Sequence, residues 1–163
     1  MPGSGYHHRP AFAERSAGPF PAISEEVALR AFRIVLAGHG SLPAAQHATA
    51  ELICGSIPDM VAVGLDPHET PDTYAEKMRA AIGHDGRRVL VLCDLLGGTP
   101  YNVASAIARR SARVVAVAGT NLAMVVEAAL ATDPLEEAFT ERLLELGRAG
   151  ITETGRHRAR RAS

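Results

Sequence analysis

His39 stands between two glycines in the run Val35-Leu36-Ala37-Gly38-His39-Gly40-Ser41-Leu42. No bulky neighbour shields its ring, and the backbone there can pass close to a ligand. Asp94 closes a second apolar run, Val89-Leu90-Val91-Leu92-Cys93, where a carboxylate is costly unless it finds a partner. An aspartate that accepts a hydrogen bond from one imidazole nitrogen fixes the tautomer and leaves the other nitrogen free as a nucleophile. Asp94 is followed by Leu95-Leu96-Gly97-Gly98-Thr99-Pro100, a glycine turn that opens a helix. The unpaired N–H groups and the positive end of such a helix suit a phosphate-sized anion. Taken singly, each feature has an ordinary structural use: a solvated loop histidine, a turn-capping aspartate, a turn before a helix. Placed together at strand ends, they describe a phosphohistidine site.

Other chemistries find less support. Ser41 lies beside His39, but the chain has no G-x-S-x-G elbow. Neither a Walker A sequence nor G-x-G-x-x-G is present, which argues against nucleotide binding. His47 falls on the expected first helix, and His68 and His84 fall in loops. None has the carboxylate or cysteine spacing of a metal site. Cys54 and Cys93 form no CxxC and sit in apolar runs, where a cysteine behaves as a small buried hydrophobe. No cofactor and no metal is expected.

The elements that position these residues can be read from the apolar runs. Ile34–Ala37, Met60–Gly64, Val89–Cys93 and Val114–Ala118 are short, rich in Val, Ile and Leu, and nearly free of polar residues. Strands buried on both faces of a parallel sheet have this texture. Helical patterns alternate with them. Thr70-Pro71 supplies a cap and a first-turn proline before Tyr74, Met78 and Ile82, with a stop at Gly83. Thr99-Pro100 repeats that opening before Val103 and Ile107. Asn121 can cap a helix carrying Met124, Val125 and Ala128. Asp133-Pro134 with Glu136 resembles a capping box before Leu135, Phe139, Leu143 and Leu146, with a stop at Gly147. The expected fold is α/β: a doubly wound open sheet of four parallel strands, order 2-1-3-4, with helices on both faces. In that order the loops carrying His39 and Asp94 face each other across the crevice beyond the strand ends, and Gly119-Thr120-Asn121 follows the fourth strand. A last apolar fragment, Gly150–Thr154, can add an edge strand.

The 163 residues fit one domain with a sizeable core, 47% hydrophobic and 21% charged. A net charge of −1 does not advertise the molecule to nucleic acid or anionic lipid. Residues 1–32, rich in Pro, Gly, Ser and Ala, read as a disordered extension with at most a helical turn at Ser24–Leu29. The adjacent His7 and His8 are too few to make a metal site. The domain proper is expected over 33–155. Arg156, Arg158, Arg160 and Arg161 give 156–163 the character of a solvated basic tail. The N-terminus lacks the pattern of a signal peptide, and no apolar run approaches the roughly 20 residues of a membrane span, so a cytoplasmic location is expected.

Three segments, VLAGHGSL, CDLLGGTPYN and AGTNLAM, resemble in order and spacing the IIA component of the mannose/fructose class of the bacterial phosphoenolpyruvate-dependent sugar phosphotransferase system (PTS), from about Arg33 to Thr154. The resemblance implies that His39 receives phosphate from the carrier HPr. His39 would pass it to a histidine or cysteine of a IIB component, which works with membrane IIC and IID components. Asp94 would orient His39, and Thr99 would be the hydroxyl residue before proline near the phosphate. Gly40, Gly97 and Gly98 would complete the phosphate cradle, and Leu96, Pro100 and Asn121 would meet the partner proteins. A homodimer is also implied, with Gly150–Thr154 as a strand exchanged between subunits. The extension and the basic tail have no counterpart in the usual domain. A related group that delivers phosphate to dihydroxyacetone kinase looks different around both loops. Two other functions share part of this chemistry. A regulatory protein would use the same phosphorylated histidine as a signal without sugar transport, and a small-anion binder would never form the covalent bond.

Overall fold

The computed structural model describes residues 31–153. His7, His8, the Ser24–Leu29 turn, the greater part of the expected extension, Thr154 and the basic tail lie outside the described residues. β1 (Phe32–His39), β2 (Met60–Leu65), β3 (Arg88–Cys93) and β4 (Val114–Ala118) form one parallel sheet in the order β2-β1-β3-β4. Between and after them run α1 (Leu42–Cys54), α2 (Pro71–Ile82), α3 (Thr99–Ala108), α4 (Leu122–Leu130) and α5 (Glu137–Ala149). Among the described residues this is the expected α/β fold with the expected strand order.

The sheet sorts its side chains by the two-residue period of a strand. Phe32, Ile34, Leu36, Leu90 and Leu92 pack on one face against Ala50 of α1, Met124, Val125 and Ala128 of α4, and Phe139 and Leu143 of α5. Val35, Ala37, Val89, Val91 and Cys93 pack on the other face against Tyr74, Met78 and Ile82 of α2 and Ala104 of α3. The change of face follows from crossover handedness. The chain moves one way from β1 to β2 and the opposite way from β2 to β3 to β4, so α1 must lie on one side and α2 and α3 on the other. Leu90, in the middle of β3, is fully buried. Leu90→Ala is expected to cost about 2–5 kcal/mol of stability, read as a lower urea midpoint with an unchanged slope.

Local chemistry explains where several elements begin and end. Thr70 caps α2 with its hydroxyl accepting the Thr73 N–H, Pro71 takes the first turn, and Gly83 closes the helix at φ +71°. Asn121 caps α4 by accepting the Met124 N–H at 3.2 Å.

Five details differ from the sequence expectation. β1 runs on through Gly38 and His39, which pair with Gly64 and Leu65 of β2: ladder bonding continues after the apolar pattern stops. Gly98, not Thr99, is the cap of α3, so the Thr99 hydroxyl does not cap the helix. α5 begins at Glu137, because Asp133 spends its carboxylate on Arg142 at 2.6 Å while Leu135 is buried ahead of the helix. Gly147 does not stop α5. It lies inside the helix, where a β-carbon would come within 2.5 Å of Met124 Sδ, so glycine there permits the close crossing of α4 and α5. Ile151–Glu153 carry no strand within the single chain. Cys93 is buried, and Cys54 only partly so.

Candidate functional site

The carboxyl ends of β1 and β3 lie side by side at the sheet's switch point. From there one connection leaves toward β2 and the other toward β4. The ladder pairs Ala37 with Cys93, and the Asp94 N–H donates to the Ala37 carbonyl at 3.1 Å, so His39 and Asp94 emerge next to each other. Asp94 Oδ2 accepts the backbone N–H of His39 at 2.8 Å and lies 3.0 Å from His39 Nδ1. The first bond fixes the carboxylate, and the second orients the ring. A carboxylate only accepts, so Nδ1 is the donor, and in the neutral ring Nε2 presents its lone pair. The His39 side chain is 46% exposed and that of Asp94 is 11% exposed, which leaves the imidazole open and its partner largely withdrawn from water. The second oxygen, Oδ1, is buried without a partner among the described residues, as is Thr120 Oγ1 in the loop after β4.

Glycines shape this pair by what they lack. A β-carbon on Gly38 would sit 2.7 Å from Asp94 Oδ2 and 2.8 Å from its Cγ, so the carboxylate occupies the space of that missing side chain. A β-carbon on Gly98 would lie 2.8 Å from His39 Cε1; the ring edge rests on the bare backbone. On β2, a β-carbon on Gly64 would collide with the Gly40 carbonyl. Sequence reading placed Gly98 only in a phosphate cradle and gave Gly64 no role. Steric contacts between strands leave no local signal beyond the glycine itself. Gly38→Ala is expected to displace Asp94 from His39, and the change is read as loss of the Nδ1-bound tautomer in nitrogen-15 spectra of the imidazole.

The remaining expected site residues divide by environment. The Gly98 N–H donates to the Leu95 carbonyl at 3.3 Å and the Gly40 N–H to the Leu65 carbonyl at 2.9 Å, so both amides hold turns in this arrangement. Gly97 has φ +79°, and its carbonyl accepts Asn102 Nδ2 at 2.9 Å, which braces the loop against α3. Thr99 is the first residue of α3, and no carbonyl one turn earlier is available to its amide or to that of Tyr101. Leu95 and Leu96 are 59% and 70% exposed beside the site. Pro100 is buried. Asn121 uses its amide inside the fold, donating to the Gly147 carbonyl at 2.8 Å while capping α4. Cys93 is next to Asp94, but burial, with a smaller push from that carboxylate, raises its thiol to about 12, which rules out a thiolate at neutral pH.

The other histidines stay apart. His47 on α1 lies 3.7 Å from Glu51 Oε1, an ion-pair distance one helical turn along. His68 and His84 lie in exposed loops. Among the described residues, no three His, Cys, Asp or Glu side chains are grouped to hold a metal ion, and no helix is long and apolar enough to cross a membrane.

Comparison with known proteins agrees with this geometry. Residues 33–144 match the family described as the PTS system fructose IIA component. The chain is 32% identical over 96 residues to the PTS system fructose-specific EIIA component of Bacillus subtilis, a stretch covering 58% of this chain and 66% of that one. It is 31% identical over 122 residues to the PTS system mannose-specific EIIAB component of Escherichia coli, covering 72% of this chain and 38% of that one. The match thus spans just under two thirds of the first relative and well under half of the second. Among solved structures, the mannose/sorbose-specific IIA subunit from Enterococcus faecalis superposes with a TM-score of 0.71 at 29% identity. That match covers 75% of this chain and 93% of that subunit. A phosphotransferase system EIIA component from Streptococcus agalactiae gives 0.69 at 26% identity, covering 75% and 96%. Matched across most of its described residues and carrying His39 against Asp94 at the sheet's switch point, the chain belongs to the family of fructose IIA components of the phosphotransferase system, the mannose/fructose class.

Proposed function

We propose that this protein is a cytoplasmic phosphoryl carrier in which His39 Nε2 takes a phosphoryl group from phospho-HPr and gives it to a histidine or cysteine of a IIB component, for sugar uptake through IIC and IID membrane components. The observation that carries the reading is the pairing of His39 Nδ1 with Asp94 Oδ2 at 3.0 Å, beside an open Nε2. In the transfer, a new N–P bond forms at His39 Nε2 as the N–P bond of the donor imidazole breaks, and the donor nitrogen keeps the bonding electrons. Nε2 has no proton to shed, because the proton is on Nδ1. The positive charge that develops on the phosphorylated ring lies against the Asp94 carboxylate. The Thr99 hydroxyl and the unpaired amides at the start of α3 receive the phosphoryl oxygens, helped by the positive helix end. For Gly40 and Gly98, a modest turn opening would be needed before their amides could join, since both now bond carbonyls.

Leu95 and Leu96 form an apolar shelf beside the nucleophile, suited to docking a carrier protein whose own phosphohistidine must approach in line. Residues 33–155 form the working domain. The extension and the basic tail stand outside its chemistry, and Gly150–Thr154 serves as the strand exchanged in a homodimer. The test is a chase. The protein is first labelled with phosphoenolpyruvate, enzyme I and HPr, then mixed with candidate IIB proteins. Rapid passage of label to one IIB is expected. Label that forms but passes to no acceptor would replace transport with a regulatory role, and absence of label would overturn the reading.

A further inference from the structure

The carrier reading makes His39 and Asp94 the chemistry, but it leaves open what holds the His39–Gly40 turn so that Nδ1 stays on the carboxylate. β2 is an edge strand with β1 as its sheet partner, so its outer backbone groups need partners from elsewhere. Its last residues, Val63–Leu65, form the rail on which that turn lies. Gly64 pairs with Gly38 and Leu65 with His39, the Leu65 carbonyl accepts the Gly40 N–H at 2.9 Å, and the bare Gly64 backbone receives the Gly40 carbonyl.

Two side chains of α2 grip this rail. The Tyr74 hydroxyl, fully buried, donates to the Val63 carbonyl at 2.9 Å. Val63 pairs with Ala37 of β1, so this bond ends two residues before the turn at His39. Burial, with smaller contributions from Cys93 and Asp94, holds this phenol well above the usual tyrosine range, so it remains a donor at every working pH. Three residues on, Lys77 Nζ donates to the Gly64 carbonyl at 2.9 Å. Glu69 at 2.9 Å and Asp66 at 3.3 Å aim the ammonium there. A buried hydroxyl on a core tyrosine is costly unless it is hydrogen-bonded, and phenylalanine would fill the same space without one. This hydroxyl finds its partner in the Val63 carbonyl, one residue before the Gly64 that pairs with Gly38.

We propose that Tyr74 and Lys77 are positioning residues that hold the His39–Gly40 turn through the carbonyls of Val63 and Gly64. The proposal rests on the carrier reading for its rate effect, but not for its spectroscopic one.

The test compares Tyr74→Phe and Lys77→Met with wild type and with Ile82→Val, a core change at the far end of the same helix. Nitrogen-15 spectra of the His39 imidazole and the steady-state rate of phosphoryl acceptance from phospho-HPr are measured well below each melting temperature. Tyr74→Phe is expected to lower kcat on the order of tenfold with KM changed less than about twofold, because a shifted nucleophile is misaligned after docking has occurred. Its His39 signals should move from a single Nδ1–H tautomer toward a mixture. Lys77→Met should shift both readouts in the same direction, and Ile82→Val should shift neither. If Tyr74→Phe fails to fold, the exposed Lys77 substitution decides. Unchanged His39 signals and kcat in the folded variants would overturn the proposal, even where melting temperatures fall. If the wild type takes up no phosphate, the carrier reading fails, and the imidazole spectra alone still decide whether α2 sets the turn.

Discussion

Replacing His39 with alanine is expected to reduce phosphorylation by phosphoenolpyruvate, enzyme I and HPr to background while leaving the fold intact. The ring is nearly half exposed at the end of β1 and belongs to neither hydrophobic core, so its removal costs little packing. The melting temperature should stay within a few degrees, in keeping with the small effect of surface substitutions. The chemical effect should be total because no neighbour among the described residues can replace the ring. Cys93 is buried and held as a thiol, and the hydroxyls of Ser41 and Thr99 have no paired base to activate them. The measurement is radiolabel incorporation on a native gel, with circular dichroism as the check on folding. Label retained by a folded His39→Ala protein would transfer the role to another residue.

Asp94→Asn carries the second large effect. Asp94 Oδ2 takes two hydrogen bonds, one from the His39 backbone and one from its ring, and its charge faces the imidazole from a largely buried position. An amide keeps one acceptor oxygen but has no charge, and its NH2 can turn toward Nδ1, drawing the ring proton onto Nε2. The nucleophilic lone pair is then lost in part of the population, and the phosphorylated ring has no counter-charge. A hydrogen bond to a charged group is worth about 1.5–3 kcal/mol, which corresponds to roughly 10- to 150-fold in rate. The loss should fall on kcat, because Asp94 is largely withdrawn from the surface a docking partner would meet. Transfer kinetics equal to wild type would remove Asp94 from the mechanism.

Much of this site was legible in the sequence because parallel sheets write their strands plainly. A strand covered on both faces is a short apolar run, and the residue just past each run lies at the ligand-binding end of the sheet. The sequence pattern therefore places His39 and Asp94 together, and the 2-1-3-4 order makes them neighbours. Features that depend on a bare glycine backbone meeting atoms far along the chain were not legible. Gly38 makes room for Asp94, Gly98 for the imidazole, and Gly64 for the Gly40 carbonyl. Each reads locally as just another glycine in a turn or strand. Gly147 looked like a helix stop because its cost within a helix is visible in sequence, whereas the compensating contact with Met124 comes from a different helix. Asp133 looked like a cap for the same reason, with Arg142 nine residues away as its actual partner. Pro100 and Asn121 are expected from the resemblance to meet partner proteins; within the chain Pro100 is buried and the Asn121 amide is hydrogen-bonded at both ends. Tyr74 was read as core by its spacing, which is correct for its ring and silent about its hydroxyl.

The central claim concerns one atom. In the proposed carrier, Nδ1 is held by Asp94 and the phosphoryl group bonds to Nε2 of His39. Phosphorus-31 and nitrogen-15 NMR of the protein phosphorylated through phospho-HPr reads that bond directly, since the two ring positions give different phosphorus shifts and couplings. A single phosphoryl group on Nε2 of His39, lost on acidification, is the predicted result. A phosphoryl group on Nδ1, or on any residue other than His39, would contradict the account.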